Sequence, residues 1–168
     1  MSGGTVYPIS ARQAMSRWPT GVAVVTTADG EGWWWGCTVN SVASVSANPP
    51  MVAVSIPREA AGRETFTMAD AVAIHVLREG QEALAEHFTK APTDFDTVQT
   101  ELGMHVECGF ESLPLLADVQ TRLECRLVYT MQTGGNVLLL ADVVRARTGT
   151  GEPLVHVGEH YRHLARPA

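Results

Sequence analysis

One short stretch of the chain concentrates polar side chains that could hold a ligand. A predicted strand ends at Val39, and four small hydroxyl or amide side chains follow within seven positions: Asn40, Ser41, Ser44 and Ser46. Short polar side chains and free backbone amides in a bend suit a ligand with many hydrogen-bond acceptors. An isoalloxazine ring, which needs partners around N1, O2, N3, O4 and N5, is such a ligand. The composition equally fits a serine-rich turn that satisfies its own hydrogen bonds.

Three consecutive tryptophans, at positions 33–35, precede this stretch. On a strand, Trp33 and Trp35 share one face and Trp34 takes the other. We expect at least one face to be wet or lined by a ligand, because three indoles are difficult to stack into one core. The run predicts either an aromatic wall for a flavin or adenine ring, with Trp35 as the contact, or packing inside a barrel or at a dimer interface.

The motifs of several other enzyme classes are missing. Glycines at positions 30, 32 and 36 follow a strand, but the tryptophans, Thr38 and Val39 come next and are poor helix formers. No helix N-terminus would therefore face a pyrophosphate, which argues against a Rossmann domain. The sequence contains no GxxxxGK[ST], HExxH or GxSxG motif.

The histidines do not predict a metal site. His156, His160 and His163 cluster near the C-terminus. Because His156 lies on a predicted strand, its spacing to His160 is not that of a helical ligand pair. We expect solvated or hydrogen-bonded surface histidines and no metal.

Charge and cysteine usage narrow the partners and the compartment. Lys and Arg number 12 against 18 Asp and Glu, which gives a net charge of −6 without a basic cluster. This balance argues against nucleic acid or an anionic membrane as the main partner. Cys37, Cys108 and Cys125 are odd in number and widely spaced, which predicts free thiols in a reducing compartment.

The 168 residues suffice for one domain with a sizeable core. No apolar stretch approaches the roughly 18 residues of a membrane helix, and residues 1–10 have neither a basic segment nor an apolar run. We therefore predict a cytoplasmic protein with a single domain over 1–168, of which 1–8 form a flexible N-terminus.

The elements that would position the polar stretch are mainly strands. Helices are predicted over 9–18, with Ser10 as N-cap and Gln13 completing a capping box, over 62–69 and over 80–89, while 93–103 is predicted to be irregular. Strands are predicted over 21–28, 33–39, 51–56, 71–77, 122–131, 137–147 and 154–157. Seven strands joined mostly by short turns predict antiparallel pairing and a closed or partly closed barrel with two or three helices outside.

Taken together, these segments resemble the flavin reductase-like group of FMN-binding split barrels, the reductase partners of two-component flavin monooxygenases. The resemblance covers roughly residues 11–164 and rests on the order and spacing of several pieces. They are Arg17-Trp18-Pro19-Thr20-Gly21-Val22 with Val24-Val25-Thr26-Thr27, Gly36-Cys37-Thr38-Val39-Asn40-Ser41 with Ser44-Val45-Ser46, Asn48-Pro49-Pro50, the strand over 72–77, Leu113-Pro114-Leu115-Leu116, Leu123-Glu124-Cys125 and Tyr161-Arg162-x-Leu164.

The resemblance implies a mainly β fold, an antiparallel Greek-key split β-barrel, in a homodimer with the flavin near the subunit interface. It implies that Thr38, Val39, Asn40 and Ser41 run along the isoalloxazine and that Ser44 and Ser46 hold its ribityl and phosphate part. It further implies an NAD(P)H:flavin oxidoreductase that reduces FAD or FMN with NADH or NADPH. The reduced flavin would then diffuse to a partner monooxygenase.

The chain departs from the family pattern at two places. Where the family usually has Ser-x-Thr after the strand at 51–56, residues 58–63 contain no hydroxyl, and we expect Arg58 or Arg63 to take the phosphate. Many members carry Gly-Asp-His in the hairpin near 134–136, and the histidine often lies beside the nicotinamide. Asn136 stands there instead; it can donate and accept hydrogen bonds but cannot act as an acid near neutral pH.

Hydride transfer between two stacked rings demands positioning more than acid–base chemistry. We therefore expect no catalytic acid with a tuned pKa. Two alternatives stay open on the sequence alone. One is a split barrel with another redox task, such as a substrate oxidase or a haem- or deazaflavin-binding relative. The other is a non-catalytic flavin carrier or a structural partner.

Overall fold

The computed structural model describes residues 10–90 and 94–164. The predicted flexible segment 1–8 lies outside them, as does the first residue of the helix predicted over 9–18. None of the described helices has the length and apolar character that crossing a membrane requires.

Strands dominate the described chain. They are β1 (Thr20–Gly21), β2 (Ala23–Ala28), β3 (Trp34–Val39), β4 (Ala43–Ala47), β5 (Pro50–Pro57), β6 (Ala71–Val76), β7 (Val106–Cys108), β8 (Pro114–Leu116), β9 (Thr121–Thr133), β10 (Asn136–Thr148), β11 (Val155–Val157) and β12 (His160–Arg162). The helices are short: α1 (Ala11–Met15), α2 (Arg63–Met68), α3 (Glu82–His87) and α4 (Phe95–Thr100), with a 3-10 helix at Phe110–Ser112.

Seven strands form one antiparallel sheet in the order β3-β2-β6-β9-β10-β5-β4. Its longest pair is the β9–β10 hairpin, and β10 also pairs with β5 so that Asn136 lies opposite Pro57. A smaller sheet has the order β1-β11-β12, and β7 pairs with β8. The mainly β, antiparallel fold with short helices outside the sheet is therefore confirmed.

The large sheet curls around one core. On β5, the alternating Val52, Val54 and Ile56 are buried, while Ala53 and Ser55 take the opposite face. The core cluster that contains these residues also draws on β2, β3, β6, β9 and β10. Strands β3 and β5 therefore come close together, although no ladder joins them within the described residues. The barrel is split along this line.

The first helix begins as predicted. The Gln13 N–H donates to Ser10 Oγ at 3.2 Å, and the Ser10 N–H donates to Gln13 Oε1 at 2.9 Å, which completes the capping box. The helix ends at Met15, earlier than the predicted residue 18.

Two element predictions were wrong. The segment predicted to be irregular contains α4, because the Asp94 side chain caps its N-terminus by accepting from the Asp96 and Thr97 N–H groups, and Phe95 and Val98 are buried. With α4, the described residues contain four α-helices rather than two or three.

The polar bend predicted after Val39 is also shorter than expected. Its second half forms β4, an edge strand whose pairing with β5 has a bulge between Ser44 and Ser46. Most of β4 is exposed, so its sequence lacks the alternation of apolar and polar residues that marks a half-buried strand.

Candidate functional site

A cavity of about 240 Å³ opens where β3 and β5 approach without a ladder. The sequence predicted five of the residues that line it. Thr38 and Val39 end β3, Asn40 and Ser41 follow directly, and Asn136 begins β10. Asn136 reaches the same cavity because it pairs with Pro57 at the end of β5.

Thr38 fastens β3 to the end of helix α3. Its Oγ1 donates to the Ala85 carbonyl at 2.6 Å, and its N–H donates to the Phe88 carbonyl at 3.0 Å. Gly36 lets the helix come this close, since a Cβ there would lie 2.5 Å from the Phe88 ring. The Thr38 hydroxyl is therefore used to build the cavity wall.

Ser41 fastens the next stretch of chain to β5. Its Oγ donates to the Ser55 carbonyl at 2.9 Å and accepts from the Ser55 N–H at 3.1 Å. The Asn136 Nδ2 donates to Ser55 Oγ at 3.0 Å. For Ser41, the structure thus favours the internally satisfied side chain, which holds β5 and the β9–β10 turn in place.

Asn40 is left available to a ligand. Its side chain is exposed and forms no hydrogen bond with the residues that the structure describes. The N–H groups of residues 40–42 lie outside the strand ladders and have no backbone partner in the described chain. An amide that both donates and accepts, next to a row of N–H donors, matches the edge of a flat heteroaromatic ring.

Sequence reasoning missed six lining residues: Val22, Ser55, Pro57, Thr89, His156 and Tyr161. The alternation along β5 was a usable signal for Ser55, which takes the face opposite Val54 and Ile56. The sequence drew attention to His156 only within the histidine cluster and to Tyr161 only through the family resemblance. Because β12 was not predicted, nothing in the sequence placed the two side chains together.

His156 and Tyr161 form the aromatic side of the cavity. They are cross-strand partners on β11 and β12, with ring centroids 5.8 Å apart in an edge contact. Burial raises the pKa of Tyr161, and the neighbouring carboxylates Glu86 and Glu82 raise it further. The phenol therefore stays protonated at neutral pH and can both donate and accept a hydrogen bond.

Trp35 lies outside this cavity. Its Nε1 donates to Asp29 Oδ2 at 3.3 Å, and its indole packs beneath Gly62, where a Cβ would lie 2.5 Å from the ring. Trp34 packs edge-on against Phe95, and Trp33 is exposed. The role of Trp35 as a ligand contact stays a prediction.

The four residues predicted to hold the phosphate also lie outside the cavity. Ser44 and Ser46 are on the edge strand β4, Arg58 is exposed, and Arg63 Nη1 donates to Gln132 Oε1 at 3.2 Å. Their contact with a phosphate stays a prediction.

Among the described residues that line the cavity there is no carboxylate, lysine or arginine. Burial raises the pKa of Cys37, the residue before Thr38, to about 12, so its thiol stays protonated. Within residues 10–90 and 94–164, no group of three or more His, Cys, Asp or Glu side chains could hold a metal ion. What the site offers is shape and hydrogen bonds.

The different partners of Asn40 and Ser41 give two separable mutant effects. For the flavin that the sequence leads us to expect, Asn40→Ala should raise the Kd about 3–10-fold, the loss of one hydrogen bond, and leave the free energy of unfolding unchanged. Ser41→Ala should lower the free energy of unfolding by about 1–2 kcal/mol, because it removes the hydrogen-bond partner of the Ser55 N–H and of the Ser55 carbonyl. Flavin fluorescence titration and urea unfolding measure the two effects. Equal effects of both variants on both quantities would contradict this division.

The profile of one protein family, described as the flavin reductase like domain, matches residues 15–165. The chain is 34% identical to an FMN reductase (NADH) of Agrobacterium fabrum, over 94% of this chain and 86% of the relative. It is 30% identical to the reductase component of a 4-nitrophenol 4-monooxygenase/4-nitrocatechol 2-monooxygenase of Rhodococcus opacus, over 91% of this chain and 79% of the relative.

A solved structure is also similar. The NADH:FAD oxidoreductase of Streptomyces globisporus, in complex with NAD and FAD fragments, superposes with a TM-score of 0.83 and 31% sequence identity. The match covers 94% of this chain and 92% of that one.

Proposed function

The chain belongs to the flavin reductase-like family, and from that premise we propose that the cavity beside Asn40 receives the flavin ring. The chain is an NADH-dependent flavin reductase that acts on FMN or FAD. The observation that carries the placement is the Asn40 amide, which has no hydrogen-bond partner among residues 10–90 and 94–164, with its adjoining N–H row at the split of the barrel.

The residues present fit a flavin by shape and by hydrogen bonding. Asn40 and the N–H groups of residues 40 and 41 meet the ring edge, while Thr38 and Ser41 hold that wall rigid through α3 and β5. When bound, a flavin supplies a ring that accepts a hydride from a nicotinamide stacked about 3–3.5 Å away. The chain's own contribution is to bind, orient and leave one ring face open.

We place Asn136 on the nicotinamide side of the cavity. Its amide is oriented by the bond to Ser55 Oγ and keeps a carbonyl oxygen that can accept from a carboxamide N–H. Asn136 does not titrate, so its contribution to nicotinamide binding is independent of pH.

We further propose that the reduced flavin leaves by diffusion to a monooxygenase. The Rhodococcus relative is the reductase component of such a system. The cavity is formed at an open split rather than inside the core, which suits a flavin that exchanges with solvent. A cytoplasmic location fits the exposed free thiol of Cys108.

A homodimer accounts for the apolar surface of the long hairpin. Val128, Tyr129 and Met131 on β9 and Val144 on β10 are all exposed. Tyr129 and Met131 are two positions apart on β9 and share one face, and exposed apolar side chains on one face typically mark an interface. Sedimentation equilibrium should give twice the chain mass, and Tyr129→Glu should yield a folded monomer. A monomeric wild-type protein would refute the dimer.

The reductase activity has a direct assay. Purified protein, NADH or NADPH, and FMN or FAD are mixed, and the loss of the reduced nicotinamide absorbance is followed. Oxidation well above the protein-free rate is the expected result. No oxidation with any of the four pairs would reject the function, and a yellow protein without turnover would favour the carrier or oxidase alternative.

A further inference from the structure

A second and larger cavity adjoins the first. Its volume is about 730 Å³, and Asn40, Ser41 and His156 line both cavities. The two are therefore lobes of one depression, the first against β5 and the second against helix α1. We call the second the α1 lobe and define it by Arg12, Met15, Ser16, Trp18, Thr20 and Glu159.

The walls of the α1 lobe are tied together by the backbone. The Gly158 N–H donates to the Ser16 carbonyl at 2.6 Å, which joins the end of α1 to the β11–β12 turn. Thr20 on β1 pairs with His156 on β11. Trp18 lies in the short link between these two attachments, so its backbone is fixed beside the lobe that it lines, and 66% of the residue is exposed.

Three groups of the lobe lack partners in the described chain. The Arg12 guanidinium is exposed and forms no ion pair among residues 10–90 and 94–164. The Thr20 Oγ1 is buried and has no hydrogen-bond partner there. The Trp18 indole has no ring partner within the same residues. The exposed indole and guanidinium suit a base and a phosphate, whereas the buried Thr20 hydroxyl is not reached from the lobe.

The size of the first lobe limits what it can hold. Sites for drug-sized ligands run from about 300 Å³ upward, so 240 Å³ accommodates one ring system and not a whole dinucleotide. We propose that the α1 lobe binds the adenosine diphosphate moiety of FAD or of NADH, with Trp18 stacked on the adenine and Arg12 on the diphosphate. This inference rests on the proposed function and extends it to the choice of cofactor.

Two variants and a control isolate this contribution. Trp18→Ala removes the stacking surface, and Arg12→Gln removes the charge. Trp33→Ala is the matched control, because Trp33 is 67% exposed and lines neither lobe. All three positions are on the surface, so the variants should fold, which circular dichroism checks.

Two pairs of substrates distinguish whether the bound adenosine diphosphate moiety belongs to FAD or to NADH. FAD is compared with FMN at saturating NADH, and NADH with reduced nicotinamide mononucleotide at saturating FMN. Trp18→Ala and Arg12→Gln should each raise KM about tenfold for one ADP-bearing reagent and leave its shorter counterpart unchanged, the size expected for one stacked base or one ion-paired phosphate. Equal changes within both pairs, or no change, would overturn the proposal, as would a change of similar size in Trp33→Ala.

A binding measurement separates this proposal from the reductase function. ADP alone is titrated into the wild-type protein and the variants by isothermal calorimetry, which needs no turnover. Saturable binding that Trp18→Ala weakens about tenfold supports the α1 lobe even if the protein oxidises no NADH. Absence of ADP binding in a protein that is an active reductase overturns the lobe and leaves the function standing.

Discussion

Replacing the buried His75 by leucine should lower the free energy of unfolding by about 4 kcal/mol. His75 is fully buried on β6; its Nδ1–H donates to the Val24 carbonyl at 3.1 Å, and its Nε2 accepts from the Leu116 N–H at 3.1 Å. Leucine would leave the buried Leu116 N–H without this partner and would remove the second hydrogen bond to the Val24 carbonyl, which still faces His75 in the β2–β6 ladder, at a cost of about 1–3 kcal/mol each. Urea unfolding at neutral pH measures the loss. His160→Gln, at an exposed position on β12, is the control and should change nothing.

The same histidine should make the stability depend on pH. Burial lowers the pKa of His75 from 6.5 to about 3, and the charge of Arg122 lowers it further, although the bond to Val24 acts in the opposite direction. Below pH 6.5, the pKa of this histidine in the unfolded chain, the unfolded chain binds a proton that the folded protein does not. The contribution of neutral His75 to the free energy of unfolding is therefore complete above pH 6.5 and is lost as the pH falls towards 3. From His75 alone, the slope of the free energy of unfolding against pH approaches about 1.4 kcal/mol per pH unit. An unchanged slope in His75→Leu would contradict this account.

Filling the first lobe should abolish turnover while the fold persists. Asn40→Trp places an indole at the mouth of a cavity of about 240 Å³, at an exposed position whose side chain has no partner in the described chain. We expect kcat/KM for the flavin to fall about 100-fold or more, because the added indole occupies the cavity and even a small displacement of stacked reactants costs that much. Steady-state oxidation of NADH at increasing FMN concentration measures the effect.

Thr148→Trp is the matched control for this variant. It places the same side chain at an exposed strand position, the end of β10, that lines neither lobe. Its kcat/KM should equal that of the wild type. An Asn40→Trp enzyme that is folded and has a normal kcat/KM for the flavin would remove the first lobe from the reaction.

How far the sequence predicts the site depends on how local its parts are. Thr38, Val39, Asn40 and Ser41 are contiguous, so their types and spacing were visible in one stretch of sequence. The different roles of Asn40 and Ser41 within that stretch were not visible in the sequence. Only the structure separates Ser41, which is bonded to Ser55 across the split, from Asn40, which is not.

The other parts of the site depend on strand register. Ser55, His156 and Tyr161 are far apart in the chain and meet only because the sheet curls and β12 folds back on β11. The hydrophobic pattern and the turns set the register of each strand pair, but they do not show which distant side chains meet at one cavity. Trp35 also depends on tertiary packing, since its indole lies beneath Gly62, and its role as a ligand contact stays a prediction.

The central claim is tested most directly by the position of the flavin ring in a crystal structure of the protein with FMN. We predict that the ring lies in the split between β3 and β5, with its edge within hydrogen-bond distance of the Asn40 side chain and of the N–H group of residue 40 or 41. A ring bound elsewhere, for instance against Trp33 and Trp34, with the split empty, would contradict the account.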